Sequence, residues 1–416
     1  MFFIVTNILI AVCFVISLRI NSNNFNFGLL YFAYWWIFNA IGFLIYHNDY
    51  SFRFIPFMWI GASVLCVMVG HRIGNHYLGH NHIRLKLRDR GLNRAYNVNL
   101  RIKKLIISIL VISLVADAIY LIRSEQIGMV FSLRGIMAIL NSSEAAKASG
   151  SGNDGGSLIT KLIGVAYYFS CILYGYAYRI FEIRKSLVIK VLFIINVIID
   201  VVVSAGKFNI IVFIVLFASG LITSMMRDKK LKIKEIRYGR LVLYISIVGA
   251  VLYFLMNNRA GHSVGLSGLL AYGFGEIPSF NYWYMDGIHE KTYGVQSFYG
   301  IVSHLLKGIK FAEGETNYPL AACAPGVNIF TMFRAVISDF GKIGGLIVLF
   351  FVGITSGIAN RKLSRSGFAN GWMAMLVGAL FLGFLMPLGY YLTLHLGYIT
   401  FIVFMSVTNY HNGKYI

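Results

Sequence analysis

Eleven apolar runs, each near the length of a bilayer crossing and separated mostly by short basic loops, constrain this chain more than any other feature. They are Phe2–Leu18, Gly28–Tyr46, Phe54–Gly70, Lys104–Ile122, Leu158–Tyr178, Leu187–Val203, Phe208–Met226, Leu241–Met256, Lys342–Ala359, Gly371–Met386 and Gly389–Thr408. A helix needs about 20 mostly apolar residues to cross the hydrocarbon layer. Lipid offers the backbone no hydrogen bonds, so runs of this length read as helices. The composition leaves little choice: 58% of residues are hydrophobic, 13% are charged, and mean hydropathy is +0.71. A soluble fold of this length has no interior large enough for that much apolar surface. The expected fold class is all-α, a polytopic membrane protein with 1–416 as a single integral membrane domain. Met1–Leu18 lacks a charged start and a small-residue cleavage pattern, so it reads as a retained span.

The net charge of +21 raises the question of a nucleic-acid partner, and its placement answers no. Lys and Arg gather between apolar runs. The basic loop 71–104 holds Arg72, Arg84, Lys86, Arg88, Arg90, Arg94, Arg101 and Lys103. Others run from Arg227 to Arg240, around Arg179, Arg184 and Lys185, and around Arg361, Lys362 and Arg365. Eleven spans put all four on one side, which the positive-inside rule makes the cytoplasm. The N-terminus is then periplasmic and the C-terminus cytoplasmic. Most acids fall on the far side. The scattered cysteines show neither CxxC nor metal-ligand spacing, and no metal or other cofactor is expected.

Two loops on the far side are long. The first, 123–157, carries Arg134 in a weakly helical middle and ends in a Gly/Ser-rich linker. It reads as a mobile loop beside a groove or as a plain connector. The second, 257–341, has internal organisation. Leu266–Met285 is semi-apolar and aromatic, as in a re-entrant or interfacial segment. Phe298, Ile301, Val302, Leu305, Leu306 and Ile309 repeat at helical spacing, which predicts an interfacial helix with His304, Lys307 and Lys310 on its polar face. Asn328–Phe340 carries a polar stripe of Thr331, Arg334 and Ser338. Within the spans, Asp117 and Asp200 are ionisable groups in lipid, where each is a functional hypothesis by default. Asp200 lies two turns before Lys207. On a continuous helix they form either a salt bridge or a lysine facing a phosphate. Asp117 reads as a structural partner for a neighbouring helix.

No P-loop, Rossmann fingerprint or DxD pair is present. The far side of a cytoplasmic membrane holds no nucleotide sugars, so a sugar-transferring enzyme there takes its donor as a lipid diphosphate. That leaving group needs cations for its developing charge, and the guanidinium fork suits phosphate oxygens. The acceptor hydroxyl needs a base. The loop supplies both kinds of group. His262, Asp339 and Glu276 are the candidate catalytic residues. Arg259, Arg334, Lys207, Arg134 and His304 are the candidate ligands for diphosphate or glycan. Each has a plainer reading: Asp339 as a helix-starting carboxylate, His304 as a surface residue, Lys207 as a salt-bridge partner.

At these residues the chain resembles the bacterial O-antigen polymerases, the Wzy-type oligosaccharide repeat-unit polymerases. The likeness is carried by Asn328-Ile-Phe-Thr331-Met-Phe-Arg334-Ala-Val-Ile-Ser-Asp339-Phe-Gly341-Lys-Ile-Gly344. It looks like the family's Asn/Thr segment followed by Asp-Phe-Gly-x-x-Gly before a late span. Ser204-Ala-Gly206-Lys207 stands where the family has a Gly-Arg element. The resemblance implies a fold similar to GT-C-like lipid-dependent glycosyltransferases, in the bacterial inner membrane. It implies polymerisation of undecaprenyl-diphosphate-linked oligosaccharide units into O-antigen or a related surface polysaccharide at the periplasmic face, releasing undecaprenyl diphosphate without a metal. It further implies membrane lipids, a chain-length regulator and a flippase as partners. The alternatives are an O-antigen ligase and a lipid-linked oligosaccharide flippase. A transporter calls for polar groups deep in several spans, and here they are few.

Overall fold

The computed structural model describes residues 26–76, 92–123, 128, 132, 135, 158–179, 181–204, 207–228, 270, 273–285, 291–305, 331–384 and 387–413. Among them every regular element is helical. In order these are α1 Phe27–Tyr46, α2 Phe54–His76, α3 Leu92–Arg123, α4 Leu158–Ala177, α5 Phe181–Lys185, α6 Leu187–Ser204 and α7 Lys207–Arg227. There follow α8 Glu276–Met285, α9 Tyr299–Leu305, α10 Met332–Lys362, α11 Gly367–Leu382, a 3-10 turn Leu388–Tyr390, and α12 Leu392–Gly413. Phe27–Tyr46, Phe54–His76, Asn209–Arg227 and Met332–Lys362 are long and apolar enough to cross a membrane. Large apolar side chains stand exposed along such helices, as at Ile55, Met58, Leu65 and Val69 of α2. In water that surface would be a liability, whereas against lipid it is neutral. The chain is a helical membrane protein.

The runs expected at Phe2–Leu18 and Leu241–Met256 lie outside the described residues. The others fall on helices, with altered ends. α2 extends to His76, into the stretch expected to be loop. α10 begins ten residues before the expected span, because Met332–Phe340 and the span join through a kink at Gly341, whose backbone sits at φ 75°, ψ 171°. That conformation is open to glycine and costly for other residues.

The contacts divide into two units. In one, α1 and α2 form an antiparallel hairpin, and α2 runs parallel to α10. Four glycines make that parallel seam. A methyl group on Gly70 would strike the Phe350 carbonyl, on Gly74 that of Ile354, on Gly353 that of Val67, and on Gly357 that of His71. Backbone therefore lies on backbone, in two small-xxx-small patterns. This is how helices gain dispersion energy where lipid supplies no hydrophobic drive. The His71 ring, buried in the seam, contacts the Ser356 hydroxyl through Nδ1 at 2.8 Å, and Ser356 in turn donates to the Gly353 carbonyl at 2.6 Å. At one end Trp59 donates Nε1–H to the Lys342 carbonyl. At the other Arg361 donates to the Asn75 and His76 carbonyls, capping α2 with a cation where its dipole is negative.

The second unit contains α3–α6 and most of α7 and α12. Gly175 of α4 and Gly220 of α7 repeat the glycine device, against the carbonyls of Phe217 and Ile172. The buried Tyr398 of α12 donates its hydroxyl to Ser219. α6 ends at Ser204 and α7 starts at Lys207. Asp200 and Lys207 therefore stand on different helices rather than two turns apart on one. Asp200 accepts a 2.7 Å hydrogen bond from the Asn209 amide, and the Lys207 side chain lies outside the described residues.

Candidate active site at the start of α10

Phe333 is the hub on which this region is built. Its ring meets Trp35 of α1 at 4.2 Å between centroids, Trp59 of α2 at 5.3 Å and Phe280 of α8 at 5.9 Å. Helix α8 is thereby pinned across α1 and α2. Its Asn281 clamps the α1–α2 turn, accepting from the Arg53 N–H at 2.9 Å and donating to the Arg53 carbonyl at 2.8 Å. The first turn of α10 has no side-chain cap at Thr331. Its Met332 N–H donates to the Gly383 carbonyl instead.

On this frame Arg334 is only 7% exposed. Its guanidinium lies over the Trp283 ring, 5.6 Å from the centroid. Past the kink, the Lys342 ammonium sits over the Tyr284 ring at 4.2 Å. The Lys291 side chain lies beside Gly341, and Lys291 and Lys342 are both exposed. A cation on an aromatic face is attracted by the ring's quadrupole. Three cations thus surround the kinked start of a membrane helix.

Asp339 is 1% exposed and holds a turn. One oxygen accepts from the Thr292 hydroxyl at 2.6 Å and the Gln296 N–H at 3.0 Å, and the other from the Ser297 N–H at 2.7 Å. The Thr292 N–H donates to the Ser338 carbonyl at 2.9 Å. These bonds fix a turn in which Tyr293 takes a left-handed conformation, φ 48°, ahead of Gly294 at φ 97°. In this geometry Asp339 positions the 291–298 segment. A base for an acceptor hydroxyl needs a free lone pair facing substrate.

Glu276 is fully buried, and neither carboxyl oxygen has a hydrogen-bond partner. Burial holds its carboxyl well above the usual carboxylate range. Burial thus favours its protonated form. The sign of the linkage is fixed by that shift. Below the unfolded carboxyl's pKa both states are protonated and no penalty exists. Above it the unfolded chain ionises and the folded one does not, so stability falls by about 1.4 kcal/mol per pH unit until the folded pKa is passed. Glu276→Gln is therefore expected to flatten the loss of thermal stability between pH 5 and 8 and to raise the melting midpoint at pH 8. An unchanged pH profile in detergent would show that Glu276 is not the group responsible.

The structure brings Arg334 and Asp339 together on one short helix and places Glu276 on α8 in the same unit. His262, Arg259 and Arg134 lie outside the described residues, as do the side chains of Lys207 and His304. A short helix, α9, lies within the expected interfacial helix; Phe298, just before it, is 46% exposed and Gly300 is buried. Gly389 of the Leu388–Tyr390 turn lies against the Ser297 carbonyl and Phe298 backbone. Sequence reasoning missed Thr292, Gln296, Ser297 and Trp283. The Tyr293-Gly294 step, a turn signal, was the available hint for the first three. Among the described residues no group of three His, Cys, Asp or Glu side chains is placed to hold a metal ion.

No family model, curated protein or solved structure matches the chain.

Proposed function

We propose that this protein is a membrane glycosyltransferase. It polymerises undecaprenyl-diphosphate-linked oligosaccharide units into O-antigen or a related surface polysaccharide at the periplasmic face of the bacterial inner membrane, and it releases undecaprenyl diphosphate. The observation that carries the reading is the cation arrangement at the start of α10: Arg334 on Trp283, Lys342 on Tyr284, and Lys291 beside the Gly341 kink. A lipid diphosphate lies with its tail in the bilayer and its charge at the surface. Cations at the end of a membrane helix suit both the substrate and the charge that develops as the sugar–phosphate bond breaks. Arg334 is the residue for the bridging diphosphate, and Asp339 holds the turn beside it. His262 and Arg259 remain the proposed base and second phosphate ligand, with Lys207, Arg134 and His304 as glycan or phosphate contacts.

Deletion in the native host tests the reading against its rivals. Loss of a polymerase leaves single repeat units on lipid A core. Loss of a ligase leaves long chains on the undecaprenyl carrier, and loss of a flippase strands units inside the cell. Arg334→Ala is expected to cut turnover about a hundredfold or more and collapse the polymer ladder to single units while the protein persists. Arg334→Lys keeps the charge without the fork and is expected to recover part of the ladder. Arg259→Ala is expected to behave like Arg334→Ala. A normal ladder from either alanine variant removes that residue from the site.

A further inference from the structure

The turn that Asp339 holds carries two exposed aromatic side chains. Its Val295 N–H donates to the Thr292 carbonyl at 3.0 Å, with Tyr293 at φ 48° and Gly294 at φ 97° between them. Two positive φ values in succession make a turn of the kind that favours Asn, Asp or Gly. A bulky residue at such a position is strained. Tyr293 is 82% exposed, so its ring contributes little packing to offset that strain. Phe298 lies beside the same turn. Its Cδ2 is 4.0 Å from a methyl placed on Gly294, its N–H donates to the Gly294 carbonyl at 3.1 Å, and it is 46% exposed. Strained backbone of this kind gathers at sites where function requires it.

The placement of the turn points to what these rings meet. The Lys291 side chain lies beside Gly341, and the next residue, Thr292, is tied to Ser338 and Asp339. The turn therefore stands on the side of the kink away from the apolar run of α10, where Ile343 and Ile347 are exposed. Membrane helix, cations and aromatic turn follow one another in that order. A lipid-diphosphate-linked glycan has the same order: tail, diphosphate, first sugar. The C–H bonds on the face of a sugar ring carry partial positive charge, and an aromatic face carries the negative lobe of its quadrupole. An anchor in the lipid headgroups needs no fixed ring direction, whereas a stacking face does, and the Asp339 hydrogen bonds fix this turn. We propose that Tyr293, with Phe298 beside it, is the stacking face for the sugar next to the diphosphate of the lipid-linked substrate. This inference rests on the glycosyltransferase reading and extends its diphosphate site.

The test uses the purified full-length protein in nanodiscs at low temperature, titrated with undecaprenyl diphosphate and, separately, with the lipid-linked glycan extracted from the deletion strain. Wild type is expected to bind both, and to bind the glycan-bearing lipid about tenfold more tightly. Tyr293→Asn suits the turn, so hydrogen exchange across Thr292–Ser297 is expected to be at least as protected as in wild type. That variant is expected to lose the tenfold difference while binding undecaprenyl diphosphate unchanged. Tyr293→Phe keeps the ring face and is expected to bind both lipids as wild type does. Wild-type affinity of Tyr293→Asn for both lipids overturns the stacking face and leaves the diphosphate reading standing. An equal loss for both lipids also overturns it, because the ring then serves the bilayer or the diphosphate rather than a sugar. If wild type binds neither lipid, the diphosphate reading itself falls, and the stacking face with it.

Discussion

Gly357→Ala is expected to cost this protein about 3 kcal/mol of stability or more, and Gly74→Ala about the same. Overpacking usually costs about 1–3 kcal/mol because neighbouring side chains can shift. Here the atom in the way is a backbone carbonyl, that of His71 or Ile354, inside a regular helix. The only relief is to part α2 from α10, which also breaks the His71–Ser356 contact and the Arg361 cap on α2. The two substitutions open the same seam, so the double variant should lose less than the sum. Gly61 is the internal control. It lies on α2 with nothing within 4 Å of an added methyl, so Gly61→Ala should be neutral or gain about 0.5–1 kcal/mol from helix propensity. Unfolding in mixed detergent reads all four variants. Equal stability of Gly357→Ala and Gly61→Ala would mean that the seam is not as close as described.

Asp339→Ala is expected to release the 291–298 turn while leaving the α2–α10 seam folded. The substitution strips acceptors from the Thr292 hydroxyl and from the N–H groups of Gln296 and Ser297. Each buried donor left unsatisfied costs about 1–3 kcal/mol, which exceeds what a single surface turn can hold. Asp339→Asn is also expected to be damaging. Whichever way the amide is turned, its NH2 faces at least one of those donors. Hydrogen exchange across Thr292–Ser297, measured beside chain extension, separates the two roles open to Asp339. A positioning role predicts that exchange protection and extension fall together in both variants. A direct catalytic role predicts that Asp339→Asn loses extension with the turn still protected.

The hydropathy of the chain was enough to name the class of fold and to find most of the described helices. It follows from the transfer of single residues between water and lipid, a property of local sequence. Helix ends were less legible. The backbone of Thr331–Phe340 continues into the span through a glycine kink, and polarity alone had separated the two. For the candidate site, the types were readable at Arg334, Asp339 and Glu276, but the roles were not. A carboxylate that accepts three hydrogen bonds from a turn 42 to 47 residues earlier in the chain looks in sequence like any other acid, and Glu276 gives no sign there of being fully buried.

What the sequence settled by itself is that this chain lives in a membrane as helices, because solvation is decided residue by residue. What the tertiary structure decided is which helices touch and which charges are spent. Gly70 and Gly74 acquire meaning only when Gly353 and Gly357, some 280 positions away, are laid against them. Close approach and desolvation depend on the partner surface, and no window of the chain contains it.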